Sequence, residues 1–216
     1  MSLTLYGHAF SSYTWKALIA FYANETAFTF QQVDPRNADD AAFLGKAHPF
    51  GKFPILTDGD QTIIESSAII EYLAARYPGA APLIPTDPLE AITVRTLDRL
   101  FDNYVMASAQ RVVNAYLRDM QNPDTAEVEG GKSDLRRTYA WLESWLAENR
   151  FPPQVSLATC AAAPSLFYAD WVERIPEKSR LAALRAELLA LPAVSRCVED
   201  ARPYRAYFPP GAPDRD

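Results

Sequence analysis

The chain has 216 residues, of which 49 % are hydrophobic and 12 % aromatic, enough to build the core of one large domain or two small ones. Its net charge of −6 is spread without long blocks, which argues against nucleic acid or an anionic membrane as the main partner. No segment approaches the roughly 20 apolar residues of a membrane span, and the first residues lack the basic region of a secretory leader, so we expect a cytoplasmic protein.

The cysteines and histidines are few and scattered. Cys160 and Cys197 form no C-x-x-C motif, so neither a disulfide framework nor a redox dithiol is indicated. His8 and His48 are the two histidines, and without a cysteine cluster they do not predict a metal site. We interpret His8 as a loop residue and His48 as a residue approaching a strand, both without a catalytic role.

The first 33 residues predict a strand, a helix and a second strand. Residues 3–6 form an apolar strand that ends at Gly7, and Ser11 and Ser12 then precede a helical stripe of apolar residues. The stripe consists of Trp15, Leu18, Ile19 and Tyr22. Residues 27–33 alternate as a strand does, and a unit of this kind predicts a parallel strand pair.

A proline-containing hairpin follows, after a polar stretch with a candidate short helix at residues 38–46. Pro54 lies at the start of an apolar strand, where a residue without an N–H is tolerated. Phe53 is therefore expected to be extended, with its backbone N–H and C=O free to pair with a peptide. Asp58 and Gly59 predict the turn between strands at residues 55–57 and 62–64.

Glu65 and Ser66 mark the start of the next helix, which we expect to reach about residue 77. Ile69, Ile70 and Leu73 are its predicted core residues. A helix start presents unpaired N–H groups and partial positive charge, and so favours a carboxylate. A peptide-binding backbone beside such a helix end predicts a site for a small anionic peptide.

The character of the sequence changes at Pro78. Residues 78–88 contain four prolines and cannot continue a helix. Beyond them only helical periodicity appears, at residues 89–120, 132–148, 156–172 and 178–189, with a last short helix after Pro192. The predicted domains are an α/β domain at 1–78, a linker at 79–88 and an all-helical domain at 89–216.

The order of these motifs resembles that of the glutathione transferase family over nearly the whole chain. The motifs are the Ser-Ser-x-x-Trp-Lys helix start, the segment Pro-Phe-Gly-Lys-Phe-Pro-Ile-Leu, and the helix start Glu-Ser-x-Ala-Ile-Ile-x-Tyr-Leu. The resemblance implies a thioredoxin-like domain that binds glutathione as co-substrate and a helical domain that binds an apolar electrophile. It also implies a homodimer.

The resemblance assigns roles to individual residues. Phe53, before a cis Pro54, would pair its backbone with the cysteinyl unit of glutathione, and Lys52 would lie beside the peptide. Glu65 would accept from the γ-glutamyl ammonium, and Ser66 would donate to the γ-glutamyl carboxylate.

The thiolate stabiliser is expected at the start of the first helix. A free thiol with a pKa near 8.5 is only slightly ionised at neutral pH, and a hydroxyl donor at the positive end of a helix favours the ionised form. Ser11 is the first candidate, Ser12 is its neighbour or substitute, and Tyr6 at the strand end is a lesser one. The serine spacing is most similar to the zeta class.

Three positions depart from the family patterns. Tyr13 replaces the zeta cysteine, and Trp171 stands where we align a substrate-binding arginine, which argues against isomerisation of a maleyl-type dicarboxylate. Thr159 replaces the acidic residue of a helix-capping box, so the bond back to the Ser156 N–H is expected to be weakened or lost.

Several side chains of the helical domain have two interpretations. Tyr104, Met106, Arg111 and Tyr116 are candidates for the co-substrate pocket, but residues in such a pattern are more often core or dimer contacts. A set of aromatic residues is interpreted as packing: Trp141, Trp145, Phe167, Tyr168 and Trp171. Alternative functions are a glutathione-binding or structural protein without turnover and a zeta-like isomerase. Thiol–disulfide exchange is nearly excluded, because residues 11–14 contain no cysteine.

Overall fold

The computed structural model describes residues 3–216, and its first part is a four-stranded sheet with helices. The strands are β1 (Leu3–Gly7), β2 (Thr29–Gln32), β3 (Ile55–Asp58) and β4 (Gln61–Ile64), and the helices are α1 (Ser12–Ala23), α2 (Ala38–Ala47) and α3 (Ser66–Arg76). The order across the sheet is β2-β1-β3-β4. The pair β1–β2 is parallel and the other two pairs are antiparallel, so the predicted mixed sheet is confirmed.

The second part is helical. Its helices are α4 (Pro88–Leu100), α5 (Ala107–Arg118), α6 (Thr125–Glu148), α7 (Leu157–Val172), α8 (Arg180–Leu189) and α9 (Pro192–Ala201). Every residue of α7 is buried, and this helix packs against α1 and α4. The predicted fold class, an α/β domain followed by an all-helical one, is confirmed. The domain boundaries at residues 78 and 88 stay a prediction.

The two parts share one hydrophobic core across α1 and α7. The ring centroid of Trp15 lies 4.9 Å from that of Phe167 and 5.3 Å from that of Tyr168. The Trp15 indole donates to the Ala9 carbonyl over 2.6 Å, and the Tyr168 hydroxyl donates to the Phe10 carbonyl over 2.9 Å. These buried contacts hold the loop before α1 against the helical part, which fixes the position of the serines that follow.

The prediction of one uninterrupted helix over residues 89–120 was wrong. Residues Phe101–Met106 form a π-helical segment between α4 and α5, and α5 ends at Arg118. A π-helical turn holds more residues than an α-helical turn, so it changes which side chains face inward. Here Phe101, Val105 and Met106 are buried, a spacing that helical periodicity alone does not distinguish from a regular helix.

The start of α7 corrects a second expectation. The Thr159 hydroxyl accepts from the Ser156 N–H over 3.2 Å, so the bond predicted to be weakened or lost is present. A threonine hydroxyl reaches the N–H as an acid would, although without a negative charge. Thr159 therefore makes this half of the capping box, whereas the buried Ser156 hydroxyl has no hydrogen-bond partner within residues 3–216.

The aromatic residues predicted to pack in the helical part divide into two groups. Phe167, Tyr168 and Trp171 on α7 are buried, and Trp145 is partly buried against the core. Trp141 does not pack inside, because 49 % of its surface is exposed. Its neighbour Leu142 takes the inward position on α6, which turns Trp141 towards solvent.

The part of the chain that the structure describes has no membrane-spanning helix and no cluster of metal-binding side chains. Within residues 3–216, no helix combines the length and the apolar character needed to cross a membrane. The same residues hold no group of three or more His, Cys, Asp or Glu side chains placed to share a metal ion. Cys160 and Cys197 are buried free thiols.

Candidate functional site

A polar cleft of about 210 Å³ lies between the sheet domain and the first helices of the helical domain. It brings together the five residues predicted to bind glutathione: Lys52, Phe53, Pro54, Glu65 and Ser66. The cleft is also lined by residues that sequence reasoning did not place there: Tyr13, His48, Arg99, Asp102 and Asn103.

The floor of the polar cleft is the segment before β3. The Phe53–Pro54 peptide bond is cis, as the family resemblance implied. Phe53 lies just outside the strand, and no hydrogen bond within residues 3–216 uses its backbone N–H or C=O. These two groups are therefore available to pair with an extended peptide.

One wall of the cleft is the start of α3. Glu65 is the residue before the helix and has φ 70°, a left-handed conformation that is uncommon for a residue with a side chain. Such conformations persist where the surroundings impose them and cluster at functional sites. Ser66, the first helical residue, is 5 % exposed, whereas the Glu65 side chain is 73 % exposed. The buried hydroxyl and the exposed carboxylate thus lie side by side at the positive end of the helix.

His48 organises the loop beneath Lys52, a role that the sequence interpretation missed. The His48 Nδ1 atom accepts from the Phe50 N–H over 3.1 Å and from the Lys52 N–H over 3.4 Å. Because Nδ1 is an acceptor, the ring proton lies on Nε2, which is 3.4 Å from Glu65 Oε1. His48 therefore links the loop to Glu65. In the sequence it is only a histidine at a helix end before a glycine-containing turn, a pattern that does not predict this role.

The helical domain contributes the charged residues Arg99 and Asp102 and the neutral amide Asn103 to the cleft. Asp102 lies 2.5 Å from Lys16 Nζ, which also lies 2.5 Å from the buried Asp98. Burial raises the pKa of Asp102, and Lys16 opposes that effect. With Lys52 and Glu65 opposite, the cleft presents both cationic and anionic groups to one ligand.

A second, apolar cleft of about 330 Å³ adjoins the first. Its lining includes the aromatic residues Phe10, Tyr168, Tyr207 and Phe208, and the aliphatic residues Met106, Val113 and Leu117. Ser11 and Ser12 lie in the same wall. Among residues 3–216, those that line this cleft include no charged side chain. Tyr13 and Phe53 line both clefts and so form the boundary between them.

The two candidate serines differ in their surroundings. Ser11 is the N-cap of α1, and its Oγ accepts from the Thr14 N–H over 3.3 Å. Since the oxygen is the acceptor in that bond, the hydroxyl proton remains able to donate to another group. Ser12 is 9 % exposed and begins the helix itself. Both hydroxyls lie at the positive end of α1.

Several candidates lie elsewhere. Tyr6 packs against Phe43 on the far side of the sheet, with ring centroids 4.4 Å apart, and lines neither cleft. Of the four candidates for the co-substrate pocket only Met106 lines the apolar cleft. Tyr104 is 61 % exposed, and Arg111 pairs with Glu127 over 3.0 Å. Tyr116 packs partly buried against the core.

Comparison with known proteins agrees with this arrangement. Residues 5–81 match the family model of the glutathione S-transferase N-terminal domain. A probable maleylacetoacetate isomerase of Caenorhabditis elegans is 32 % identical over 44 % of this chain and 44 % of its own length. Glutathione S-transferase 1 of Dianthus caryophyllus is 29 % identical over 67 % of this chain and 65 % of its own length. The chain thus spans less than two thirds of either relative.

A solved structure extends the likeness to the whole fold. The glutathione S-transferase of Methylobacillus flagellatus, determined with glutathione bound, covers 91 % of this chain and 98 % of its own with a TM-score of 0.78 and 24 % identity. A thioredoxin-like domain joined to a helical one is the fold of the glutathione transferases, and this chain has that fold. The domain match and the named relatives thus make this chain similar to glutathione S-transferases, and the similarity is concentrated in residues 5–81.

Proposed function

We propose that the protein is a glutathione transferase of the serine type, which binds glutathione in the polar cleft and adds its thiolate to an uncharged electrophile in the apolar cleft. The observation that carries the proposal is the shared wall of the two clefts at Tyr13 and Phe53. Glutathione bound with its γ-glutamyl carboxylate at Ser66 would extend its thiol to this wall. The thiol would there meet an apolar second substrate bound in the apolar cleft.

The charges of the polar cleft suit the γ-glutamyl end of glutathione, which carries an ammonium and a carboxylate. Glu65 and Asp102 are the groups for the ammonium. Ser66, at the start of α3, and the nearby cation Lys52 are the groups for the carboxylate. The free backbone of Phe53 lies between that end and the apolar cleft, where the cysteinyl unit would pair with it.

Ser11 is the proposed thiolate stabiliser. Lowering a thiol pKa from near 8.5 by about two units corresponds to roughly 2.7 kcal/mol. One hydrogen bond to a charged group contributes about 1.5–3 kcal/mol, so a single serine hydroxyl can supply most of the free energy needed to lower the thiol pKa. The thiolate then attacks the electrophile, a new carbon–sulfur bond forms, and the leaving group departs with its electron pair. In this scheme Ser12 is the substitute donor.

The proposal is tested by replacing Ser66, which touches only the carboxylate in this scheme. Ser66→Ala should weaken glutathione binding measured by calorimetry, while the exposed Ser144→Ala on α6 should leave it unchanged. The unmodified protein should conjugate glutathione to a chlorodinitroarene. A protein that shows neither binding nor conjugation would contradict the proposal, and binding without conjugation would favour a glutathione-binding protein without turnover.

A zeta-like isomerase is the second candidate, favoured by the name of the Caenorhabditis elegans relative. The apolar cleft argues against it, because a dicarboxylate substrate needs cations and the described lining has none. Trp171, aligned with a substrate-binding arginine, is buried and packs 5.2 Å from Phe208 between ring centroids. Isomerisation of a maleyl-type dicarboxylate at a rate exceeding conjugation would reverse this order of preference.

We also propose that the protein works as a cytoplasmic homodimer. Leu89 and Ile92 on α4 are 74 % and 58 % exposed, and they lie three residues apart on one face. Large apolar side chains exposed together commonly mark a protein interface. Phe50, 81 % exposed beside the polar cleft, is a third such residue.

A further inference from the structure

Tyr13 has a position that neither the family match nor the predicted site explains. It lies in the first turn of α1, two residues after the N-cap Ser11, and its side chain lines both clefts. Only Phe53 shares this double position among the residues that line them. The side chains of Phe53 and Tyr13 therefore form the boundary between the polar and the apolar cleft. The backbone of Phe53 remains available to a ligand.

The Tyr13 hydroxyl is available to a ligand. The side chain is half-buried, and its hydroxyl makes no hydrogen bond to any group within residues 3–216. Tyr168 and Tyr139, the buried tyrosines of the helical domain, each donate to a backbone carbonyl instead. An aromatic hydroxyl that is partly desolvated and without a protein partner loses a hydrogen bond that a ligand can restore.

The surroundings of the Tyr13 hydroxyl keep it protonated, and the side chain lines the polar cleft. Burial raises the pKa of Tyr13 to about 12, and the carboxylates Asp102, Glu65 and Asp98 add to the effect. At neutral pH Tyr13 is therefore a neutral donor. The carboxylates Asp102 and Glu65 line the polar cleft and belong to the region proposed for the γ-glutamyl end.

We propose that the Tyr13 hydroxyl donates a hydrogen bond to the carboxylate of the γ-glutamyl unit of bound glutathione. This inference rests on the proposed function. The ammonium and the carboxylate of this unit share one carbon, so with the ammonium at Glu65 and Asp102 the carboxylate lies near two negative charges and needs donors besides the start of α3. Tyr13 supplies a hydrogen-bond donor from α1. Its hydroxyl is neutral, so it adds no charge that would compete with Lys52 or Lys16.

The experiment compares Tyr13→Phe with Tyr104→Phe, a matched loss of one hydroxyl from an exposed tyrosine outside both clefts. Calorimetry measures the affinity of each variant for glutathione, S-methylglutathione and γ-glutamylcysteine. These ligands share the γ-glutamyl unit but differ at the sulfur or lack the glycine. Tyr13→Phe should weaken all three by the same factor, about tenfold, as expected for one hydrogen bond to a charged group. Tyr104→Phe should change none.

Other results would overturn the inference in recognisable ways. If S-methylglutathione alone keeps its affinity for Tyr13→Phe, the hydroxyl contacts the sulfur. If γ-glutamylcysteine alone keeps it, the hydroxyl contacts the glycyl end, and if all three keep it, the ring only packs. Failure of the unmodified protein to bind glutathione would refute the proposed function itself. Circular dichroism of Tyr13→Phe verifies that α1 is intact, and Tyr13→Trp, which keeps a ring N–H donor, should recover part of the lost affinity.

Discussion

Lys16 Nζ lies 2.5 Å from Asp98 Oδ1, and both side chains are almost completely buried between α1 of the sheet domain and α4 of the helical domain. Ser67 on α3 completes the cluster, because its hydroxyl lies 2.8 Å from Lys16 Nζ and 3.1 Å from Asp98 Oδ2. Asp102, also paired with Lys16, extends it to the polar cleft. A charge network therefore joins both domains to the site.

Removing the lysine should destabilise the protein strongly. Lys16→Met leaves Asp98 and Asp102 buried beside each other without a cation, and loss of one partner of a buried pair typically costs about 3–5 kcal/mol. Urea denaturation should show this loss, whereas Lys46→Met, at an exposed position of α2, should stay within about 0.5 kcal/mol of the unmodified protein. Equal stabilities of the two variants would show that the network contributes little.

Ser11→Ala should raise the pKa of the glutathione thiol bound to the protein while leaving glutathione affinity nearly unchanged. Because Ser11 also caps α1, the same variant should lose about 1 kcal/mol of stability. Ser11→Thr retains both functions of the hydroxyl and is the control. The measurement is the ultraviolet absorbance of the bound thiolate as a function of pH. An unchanged titration in Ser11→Ala, with a shift in Ser12→Ala, would transfer the role to Ser12.

Asp58 should make stability depend on pH in the acid range. Its Oδ2 accepts from the hydroxyls of Tyr77 over 2.5 Å and Tyr72 over 2.7 Å, and these bonds lower the pKa of Asp58 below its usual 3.8. The folded state then binds the proton more weakly than the unfolded state. The stabilisation from Asp58 is complete when the pH is above the pKa of its carboxyl group in the unfolded chain. It disappears as the pH falls through the lower pKa that this group has in the folded protein.

Asp58→Asn is the variant that checks this dependence. It should be less stable than the unmodified protein at neutral pH, and the difference should shrink below a pH of about 3.8. The free energy of unfolding is measured by denaturant titration at several pH values. Asp60→Asn, at the exposed turn two residues away, should show no such convergence. A difference that stays constant with pH would assign the effect to geometry instead of charge.

The proposed dimer predicts that charge on α4 separates the subunits. The double variant Leu89→Glu and Ile92→Glu should sediment as a monomer, because two carboxylates would be buried in an apolar interface. Met120→Glu changes an equally exposed apolar residue outside α4 and should leave the sedimentation coefficient unchanged. If the double variant sediments like the unmodified protein, any dimer uses another surface.

Much of the sheet domain could be predicted because its features are local in sequence. Pro54 at the start of β3, the Asp58–Gly59 turn and the apolar positions of α3 each follow from a few adjacent residues. Ser66 at the helix start could be placed for the same reason. The roles proposed for these residues stay predictions, although the structure brings them into one cleft.

What could not be predicted depends on contacts between distant segments. Arg99, Asp102 and Asn103 reach the polar cleft from the helical domain, and no motif marks them. Arg99 follows Ser66, the last of the other lining residues, by 33 positions in the chain. The sequence did contain an indication for Lys16 and Asp98. Each is a charged residue on an apolar part of its helix, since Lys16 follows Trp15 and Asp98 follows Leu97. A charge at such a position indicates a buried partner, but its identity requires the fold.

The π-helical segment Phe101–Met106 has a consequence for how the two clefts can vary. Asp102 and Asn103 from this segment line the polar cleft, and Met106 at its end lines the apolar one. Deleting one of its residues after Asn103 would leave Asp102 and Asn103 in place and turn α5 by about 100° relative to α4, since an α-helix has 3.6 residues per turn. Val113 and Leu117 would then rotate away from the electrophile, while Asp98 and its lysine stayed in place. A change in chain length at this one point could thus alter the choice of second substrate and leave recognition of the tripeptide intact.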